Sequence, residues 1–362
     1  MKIIVYFNSM APAGGIERVI AKHISFLDSQ KHDITLITKD DGASFYPLPN
    51  SIRKESIGID MELNMSNRVI RIFKIATSLI QTVSKLRKSL KKKNPDILYV
   101  VHPLCLLEIY LSGIQCRKVL VTEHASVSAY NKIYRIILNI LYPKVGLLTV
   151  PTKEDSNIYN SLGIKNVYLP NPLPFYPNSQ SSLQNKLVLN VGRFTNDKRH
   201  ELLIKLWSRS KAKNLGWKLK IIGKGENNEI INNLVQKLDL EDNVIISPVT
   251  AHIEKEYLNS SLFLLTSKNE GFGLVLAESM ACGVPCLAFN CPSGPKDIID
   301  DKVNGFLIEE GEHQMFVDRL NELIENEGLR KKLGAQARMD IKKFDENKIS
   351  DQLNALVLRQ FS

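Results

Sequence analysis

Short apolar runs recur along the first half of the chain and alternate with segments of helical periodicity. Continuous apolar runs of this kind are typical of strands that are buried on both faces. Such strands, separated by helices, predict a parallel, doubly wound sheet of the α/β class. The predicted elements are strands Ile3–Phe7, Ile34–Ile37, Ile97–Val101, Lys118–Thr122 and Val145–Val150, with a first helix at Glu17–Asp28.

A proline-rich interval, Leu169–Ser182, interrupts this alternation and predicts an interdomain linker. The alternation then begins again, which predicts a second parallel-sheet domain, and the tail from Glu312 to Ser362 is largely helical with an interruption near Phe344 and Asp345. The predicted elements of the second domain are strands Leu187–Val191, Lys218–Ile222, Val244–Ile246, Leu262–Thr266 and Pro285–Phe289, with a helix at Glu201–Ser208.

The stretch from Glu270 to Gly283 joins a glycine-rich turn to a short apolar helix, predicted from Leu274 to Cys282. Backbone N–H groups at a helix start favour an anion such as phosphate. Glu278 lies inside the apolar helix, where its charge needs hydroxyls or cations as partners. Two carboxylates beside an anion site suggest a ligand in which a sugar is joined to phosphate. The alternative is a Glu278 that only forms a salt bridge to a neighbouring strand.

Further candidates follow predicted strands at their carboxyl ends, where doubly wound folds bind ligands. In the first half, Gly14 and Gly15 follow the first strand, and consecutive glycines let the backbone approach an anion closely. His124 follows strand Lys118–Thr122 and is a candidate for substrate contact, with a purely structural histidine as the alternative.

In the second half, Arg193 and Lys198 follow strand Leu187–Val191. An arginine that forms two parallel hydrogen bonds and a lysine point charge together suit a diphosphate, whereas the alternative is ordinary surface charge. Gly223 and Gly225 follow the next strand and would border a planar base.

Composition narrows the class of protein. The 362 residues suffice for two domains, and no apolar run is long enough to span a bilayer. Because there is also no signal peptide, we expect a cytoplasmic enzyme. Five unevenly spaced cysteines without a zinc pattern predict buried free thiols, and we expect no bound metal.

The formal charge of +10 requires an anionic partner, and the positive residues concentrate between Asn67 and Asn94. Apolar residues recur there at helical spacing, so the segment predicts a basic amphipathic helix that lies on an anionic membrane surface. The alternative is a packing helix with a solvated basic face. Nucleic acid is disfavoured because no stacking aromatics accompany the charge. The candidate membrane residues are Arg87, Lys88, Lys91, Lys92 and Lys93.

Together these motifs resemble the retaining, nucleotide-sugar-dependent glycosyltransferases of family 4, over nearly the whole chain. The resemblance rests on the E-x7-E element from Glu270 to Glu278, on Gly192-Arg193-Phe194 with its downstream Lys198, on the Gly14-Gly15 loop and on Asn171-Pro172. It implies the GT-B fold, in which two Rossmann-like domains face a central cleft and the final helix crosses back to the first domain. Residues 1–172 with about 345–362 would bind the acceptor, and residues 183–344 would bind the nucleotide sugar.

The resemblance also implies a role for each candidate residue. Gly14 and Gly15 would approach the donor diphosphate, which Arg193 and Lys198 would neutralise. The catalytic pair would be Glu270, which would hold the donor sugar, and His124, which would contact it near its reacting face. Glu278 would bind the ribose hydroxyls. The remaining donor contacts would come from Gly223, Gly225, Gly271, Phe272, Gly273 and Leu274.

The chemistry implied by the resemblance retains the anomeric configuration, with a leaving diphosphate oxygen assisting the acceptor hydroxyl. Neither an enzymic base nor a metal is then needed, because cations and a helix N-terminus stabilise the diphosphate charge. Two departures from the family pattern stand out. Ser247-Pro248 stands where the family often has a glycine beside the base. Lys296-Asp297 stands where a glutamate often precedes the apolar pair, and this version is similar to family members of polysaccharide and lipid-linked oligosaccharide pathways.

We therefore expect a bacterial enzyme that is peripheral at the inner face of the cell membrane. It would transfer a hexose-type sugar from a nucleotide diphosphate, UDP in the first instance, to a hydroxyl of a growing, lipid-linked surface polysaccharide. Its partners would be the nucleotide sugar, the glycan acceptor and the anionic membrane, without nucleic acid. The alternatives are a nucleotide-sugar epimerase of the same architecture and a non-catalytic nucleotide or nucleic-acid binding module.

Overall fold

The computed structural model describes residues 1–59 and 68–362, with the backbone alone from 68 to 76. The chain forms two compact units. The first comprises Met1–Pro172 together with Asn347–Ser362, and the second comprises Leu173–Glu346. Each unit is built on its own parallel sheet with flanking helices, which confirms the predicted α/β class.

The first unit contains a seven-stranded parallel sheet. Its strands are β1 (Lys2–Phe7), β2 (Asp33–Thr38), β3 (Arg53–Ser56), β4 (Ile97–Val100), β5 (Val119–Thr122), β6 (Leu147–Val150) and β7 (Val167–Tyr168). Their order in the sheet is β3-β2-β1-β4-β5-β6-β7. The chain thus builds outward from β1 in one direction and from β4 in the other. Doubly wound folds bind ligands outside the carboxyl ends of the strands at such a reversal.

Helices cover both faces of this sheet. Those of the first 172 residues are α1 (Gly15–Ser29), α2 (Arg68–Lys93), α3 (Pro103–Leu111), α4 (Lys132–Leu141) and α5 (Lys153–Ser161). Ile20 and Ile24 of α1 pack in the core on one face. Leu86 of α2, Ile109 of α3 and Leu138 of α4 share the core on the other face, so these three helices belong to one layer.

The second unit contains a six-stranded parallel sheet in the order β10-β9-β8-β11-β12-β13, with its reversal between β8 and β11. The strands are β8 (Leu187–Val191), β9 (Lys218–Ile222), β10 (Val244–Ser247), β11 (Leu262–Leu265), β12 (Cys286–Asn290) and β13 (Gly305–Glu309). The helices are α6 (His200–Ser208), α7 (Asn228–Lys237), α8 (Ile253–Leu258), α9 (Leu274–Ala281), α10 (Pro295–Ile298), α11 (His313–Glu325) and α12 (Glu327–Asp340).

The final helix, α13 (Glu346–Phe361), returns to the first unit, as the resemblance implied. Its residues Ile349, Leu353 and Val357 are buried in the same core cluster as α1. Asn354 accepts a hydrogen bond at Oδ1 from His32 Nε2, at 3.0 Å. The core of the first unit is therefore completed by the last turns of the chain.

Three of the described strands were not predicted, and all three are at sheet edges. Strand β3 consists of polar residues, Arg53 to Ser56, and β7 is two residues long, so neither contains an apolar run. Strand β13 begins at a glycine, which weakens the strand signal. The boundary between the two units, from Pro172 to Leu173, lies within the predicted linker interval. Residues 169–174 of that interval are buried, and the Leu173 N–H donates a hydrogen bond to the Phe344 carbonyl.

Two further expectations concern the whole chain. All five cysteines are buried free thiols, as predicted. None of the helices in the described residues combines the length and the apolar character needed to cross a bilayer.

Candidate active site

The carboxyl ends of β8 and β11 are adjacent at the reversal of the second sheet, and predicted donor residues follow both strands. Lys198 follows β8 and Glu270 follows β11. Their side chains form an ion pair, with 2.5 Å between Lys198 Nζ and Glu270 Oε1. The Lys198 side chain is 22% exposed and that of Glu270 is 8% exposed, so the pair lies at the rim of the protein interior. The structure thus joins two residues that the sequence presents separately.

The two arginines that follow β8 differ in whether their guanidinium groups are free to bind a ligand. Arg193 is exposed, and its guanidinium has no hydrogen-bond or ion-pair partner among residues 1–59 and 68–362. The guanidinium of Arg199, in contrast, donates to the carbonyl oxygens of Thr266 and Ser267 and to the carboxylate of Glu310. Arg199 therefore joins the loops after β8 and β11, whereas Arg193 is available for a ligand.

The predicted anion turn lies directly after Glu270. Gly273 has φ +89°, a left-handed conformation that favours glycine, and it caps α9 without a side-chain hydrogen bond. The N–H groups of the first turn of α9 therefore lack a side-chain cap at Gly273. The Phe272 ring is buried and packs edge-on against Phe344, at 5.1 Å between centroids. Only the backbone of Phe272 is therefore left for a ligand.

Glu278 is 4% exposed within α9 and receives a hydrogen bond from a hydroxyl. The donor is Tyr257 of α8, whose hydroxyl lies 2.8 Å from Glu278 Oε2. Hydroxyl contact is one of the two ways in which we expected this buried charge to be stabilised. Sequence reasoning missed Tyr257, which is itself fully buried among Phe175 and Phe263. The ribose contact of Glu278 remains a prediction.

Gly223 and Gly225 have a packing function in the structure. A Cβ atom on Gly223 would overlap the carbonyl oxygen of Gly192, and one on Gly225 would lie 2.5 Å from that of Phe194. The Phe194 N–H also donates to the carbonyl of Lys224, at 3.0 Å. The loops after β8 and β9 therefore contact each other backbone to backbone, and the contact of these glycines with a base remains a prediction.

In the first unit, His124 follows β5 and belongs to a buried chain of hydrogen bonds. Its Nε2 lies 3.2 Å from Thr122 Oγ1, Thr122 donates to Tyr99 Oη at 2.9 Å, and Tyr99 Oη lies 2.8 Å from His23 Nδ1. With Thr122 as the donor to Tyr99, the Nε2–H form of His124 completes the chain as the donor to Thr122, and Nδ1 is then the acceptor nitrogen of the ring. Burial lowers the pKa of His124 to about 4, although a hydrogen bond with the Asn171 side chain opposes this shift.

The loop that carries His124 is held by a buried carboxylate that sequence reasoning missed. Burial raises the pKa of Glu123, and four of the five hydrogen bonds that its carboxylate accepts oppose that shift. The donors are the backbone N–H groups of His124 (2.9 Å) and Ala125 (3.2 Å) and the hydroxyls of Tyr130 (2.7 Å), Tyr142 (2.6 Å) and Tyr159 (3.3 Å). The sequence signal that could have identified Glu123 is an acidic residue directly before His124.

Gly14 and Gly15 follow β1 at the reversal of the first sheet, and α1 begins at Gly15. Gly14 caps α1 without a side-chain hydrogen bond. The carboxylate of Glu17 lies over Gly14, in the space that a side chain there would occupy. The chain thus supplies its own anion at this helix N-terminus, and a phosphate at Gly14 would have to displace it.

The five candidate membrane residues of α2 fall into two groups. Arg87 donates to the carbonyl of Ser112 at 3.1 Å, and Lys93 forms a 2.5 Å ion pair with Glu55. The other three are exposed and have no partner in the described part of the chain: Lys88, Lys91 and Lys92. The described residues also contain no cluster of three or more His, Cys, Asp or Glu side chains that is placed to hold a metal ion.

Two glycosyltransferase families match this sequence, one for each half. Residues 13–174 match Glycosyltransferase Family 4, and residues 176–340 match Glycosyl transferases group 1. The two matches cover the two parallel-sheet units in order. The chain therefore belongs to the GT-B glycosyltransferases of the family 4 type, and it is a glycosyltransferase enzyme.

Several relatives are similar over nearly their full length. An uncharacterized glycosyltransferase of Haemophilus influenzae is 28% identical, over 98% of this chain and 99% of its own. The amylovoran biosynthesis glycosyltransferase AmsD of Erwinia amylovora is 27% identical, over 93% of both chains. A Campylobacter jejuni N-acetylgalactosaminyltransferase, whose name specifies a diphospho-undecaprenol-linked saccharide, is 25% identical over 96% of this chain and 97% of its own.

Solved structures share the fold at low sequence identity. Staphylococcus aureus TarM, in a complex that includes UDP, superposes with a TM-score of 0.80 at 15% identity, over 98% of this chain and 99% of its own. Anabaena HepE, in complex with UDP and glucose, superposes with a TM-score of 0.80 at 19% identity, over 99% of both chains.

Proposed function

We propose that this enzyme transfers a hexose-type sugar from a UDP donor, with retention of the anomeric configuration, to a hydroxyl of a growing, lipid-linked surface polysaccharide. The observation that carries the proposal is the group of residues after β8 and β11. It contains the unpaired Arg193, the Lys198–Glu270 ion pair and the α9 N-terminus, which has no side-chain cap at Gly273.

This group suits a sugar diphosphate because it contains both signs of charge. Arg193 can bind two phosphate oxygens at once, and the first turn of α9 adds partial positive charge. Lys198 would be shared between Glu270 and the phosphates, and Glu270 would accept hydrogen bonds from the sugar hydroxyls. UDP is the nucleotide in the TarM and HepE complexes, which supports the choice of a uracil nucleotide.

The proposed mechanism needs no enzymic base in this group. Glu270 is already paired with a cation, so it is better suited to hold a sugar than to abstract a proton. A leaving diphosphate oxygen would take the proton of the acceptor hydroxyl as the new bond forms on the same face. The residues Arg193 and Lys198 and the first turn of α9 would then stabilise the charge that develops on the diphosphate, without a metal.

The acceptor proposal draws on the relatives and on the surface charge. The name of AmsD specifies amylovoran biosynthesis, and that of the Campylobacter jejuni enzyme specifies a saccharide on diphospho-undecaprenol. The exposed lysines at positions 88, 91 and 92 of α2 are suited to anionic headgroups. We therefore place the reaction at the cytoplasmic face of the membrane.

Calorimetric titration with UDP, GDP and ADP tests the donor. We expect UDP to bind best, Arg193→Gln to weaken UDP binding about tenfold or more, and Lys237→Gln to leave it unchanged. Lys237 is a matched exposed cation at the end of α7. Equal binding of all three nucleotides, or no effect of Arg193→Gln, would contradict the proposal.

The epimerase alternative makes a different prediction. An epimerase converts its nucleotide sugar without an acceptor, so NMR of the donor with enzyme alone would show a second sugar. A transferase that is given no acceptor leaves the configuration of the donor sugar unchanged.

A further inference from the structure

Helix α4 exposes a row of isoleucine side chains. Ile133 is 70% exposed, Ile136 is 59% exposed and Ile140 is 53% exposed. Their spacing of three and four residues places them on one face of the helix. Leu138 and Leu141 are buried on the other side, so the helix is apolar toward both the protein and the solvent. An aligned apolar surface of this kind marks an interaction site.

The exposed row is presented by a well-anchored helix. The side chain of Asn131 caps α4 by accepting a hydrogen bond from the Tyr134 N–H, at 3.1 Å. The Tyr134 ring packs against His102 and Tyr130, with centroid distances of 5.4 and 5.7 Å. The exposure of the isoleucines is therefore not the result of a frayed helix end.

Basic residues lie beside the row in the sequence, and acidic residues do not. Lys132 and Arg135 flank the first two isoleucines, and Lys144 follows the helix. Residues 125 to 152 contain no aspartate or glutamate. Apolar side chains beside cations are typical of helices that lie in the interface of an anionic bilayer.

Neighbouring helices extend this surface. At the end of α3, Tyr110 is 41% exposed and Leu111 is 43% exposed. The Lys144 ammonium lies 5.0 Å from the Tyr110 ring centroid, which brings the ends of α3 and α4 together. Arg87 of α2 bonds the carbonyl of Ser112, on the other side of α3. The isoleucine row and the basic helix α2 therefore belong to one helical layer.

We infer that α4 inserts into the headgroup region of an anionic lipid bilayer. Ile133, Ile136 and Ile140 contact the acyl chains, and Lys132 and Arg135 contact the lipid phosphates. A second copy of the chain is a poorer occupant, because pairing two such faces about a twofold axis brings like charges together. The inference deepens the proposed membrane location and rests on it, but lipid binding can be measured without catalysis.

Flotation with phosphatidylglycerol-containing vesicles tests the inference. The triple variant Ile133→Ser, Ile136→Ser, Ile140→Ser should lower the partition coefficient by about tenfold or more. The matched control is Ile230→Ser, Val303→Ser, Met339→Ser, which changes three exposed apolar residues of the second unit and should float as wild type does. Phosphatidylcholine vesicles should bind wild type weakly.

A fluorescence measurement reports insertion directly. Both native tryptophans, Trp207 and Trp217, are buried, so Ile136→Trp adds the one exposed indole of the described residues. Its emission should shift to the blue when anionic vesicles are added. An unshifted emission, or a triple variant that floats as well as wild type, would overturn the inference.

Two readouts separate this inference from the proposed function. UDP binding by the triple variant should equal that of wild type, which shows that the second unit is intact, and an unchanged urea unfolding midpoint should show that the first unit is folded. Failure of UDP to bind wild type would refute the donor proposal and leave the flotation result intact. Analytical ultracentrifugation without lipid tests self-association. A dimer that wild type forms and the triple variant does not would assign the face to self-association and overturn the inference.

Discussion

Lys198 Nζ and Glu270 Oε1 lie 2.5 Å apart at the carboxyl edge of the second sheet. Lys198 follows the first strand of that sheet and Glu270 follows the fourth, and strand order makes those two strands neighbours. The pair has a defined electrostatic consequence. Glu270 orients the lysine but also competes with any phosphate for its charge, so the two residues should affect binding and turnover in opposite ways.

Replacing Glu270→Gln separates these two effects. The amide keeps the shape of the side chain and releases Lys198, so UDP should bind as well as to wild type or up to about tenfold more tightly. The rate constant kcat should fall by roughly a hundredfold, because the sugar loses its positioning carboxylate. Calorimetry and steady-state kinetics measure the two quantities. A parallel loss of UDP affinity would show that Glu270 binds the nucleotide itself.

The hydrogen-bond chain behind His124 predicts a positioning function for Tyr99. Tyr99→Phe removes the proton acceptor of Thr122, which can then donate to His124 and reverse its tautomer. We expect kcat to fall about fivefold to tenfold with UDP affinity unchanged. Nitrogen-15 NMR should show the ring change from the Nε2–H form toward the Nδ1–H form. An unchanged tautomer together with reduced kcat would contradict this explanation.

Gly223→Ala tests the backbone contact between the loops after β8 and β9. The added methyl group overlaps the Gly192 carbonyl oxygen, so the variant should lose about 1–3 kcal/mol of unfolding free energy. Gly328→Ala is the matched control, because Gly328 lies in the first turn of α12 and an added Cβ would meet Asn326 Oδ1 at 3.4 Å, an ordinary van der Waals distance. Urea denaturation should show little change for that variant. Equal effects of the two substitutions would refute the packing argument.

Buried histidines predict that the protein is destabilised by mild acid. Burial lowers the pKa of His23 to about 3 and that of His102, His124 and His200 to about 4. Unfolded histidines titrate near pH ~6.5, so between pH ~6.5 and ~4 the unfolded state binds protons that the folded state does not. Stability should therefore fall as the pH is lowered through this window. Glu123 acts in the opposite sense, because burial raises its pKa.

His200→Phe provides the test of this pH dependence. Neither ring nitrogen of His200 has a hydrogen-bond partner in the described part of the chain, and its ring packs edge-on against Phe194. Phenylalanine should keep that packing and remove one titrating group. The difference between urea midpoints at pH ~7 and ~5 should shrink, whereas His252→Gln, at an exposed position, should leave it unchanged.

The architecture was largely predictable because buried parallel strands have a distinctive pattern. Leu187–Val191 and Lys218–Ile222 were predicted with their observed bounds. The first is a mainly apolar run, and the second has apolar residues at positions 219, 221 and 222. The edge strand β3 was missed, because Arg53–Ser56 packs on one neighbour and contains no apolar run. Local pattern therefore predicts central strands better than edges.

The residues of the candidate site were predicted singly, but their partners were not. Glu278 was recognised as a buried charge, whereas the hydroxyl that bonds it belongs to Tyr257, on a separate helix. The tyrosines around Glu123 lie up to 36 positions away from it. Such contacts follow from strand order and helix packing, which no local motif specifies. The exposure of Ile133 was hidden for a similar reason, because an isoleucine on the outer face of α4 looks the same in sequence as one on the inner face.

The return of α13 has a consequence for how the protein is made. Ile349, Leu353 and Val357 fill the core of the first unit, although the ribosome synthesises them after the entire second unit. The second unit can thus complete its core while the first is still missing a helix. The half of the enzyme that is synthesised first is the half that finishes folding last, and until then its unfilled core is available to chaperones and proteases.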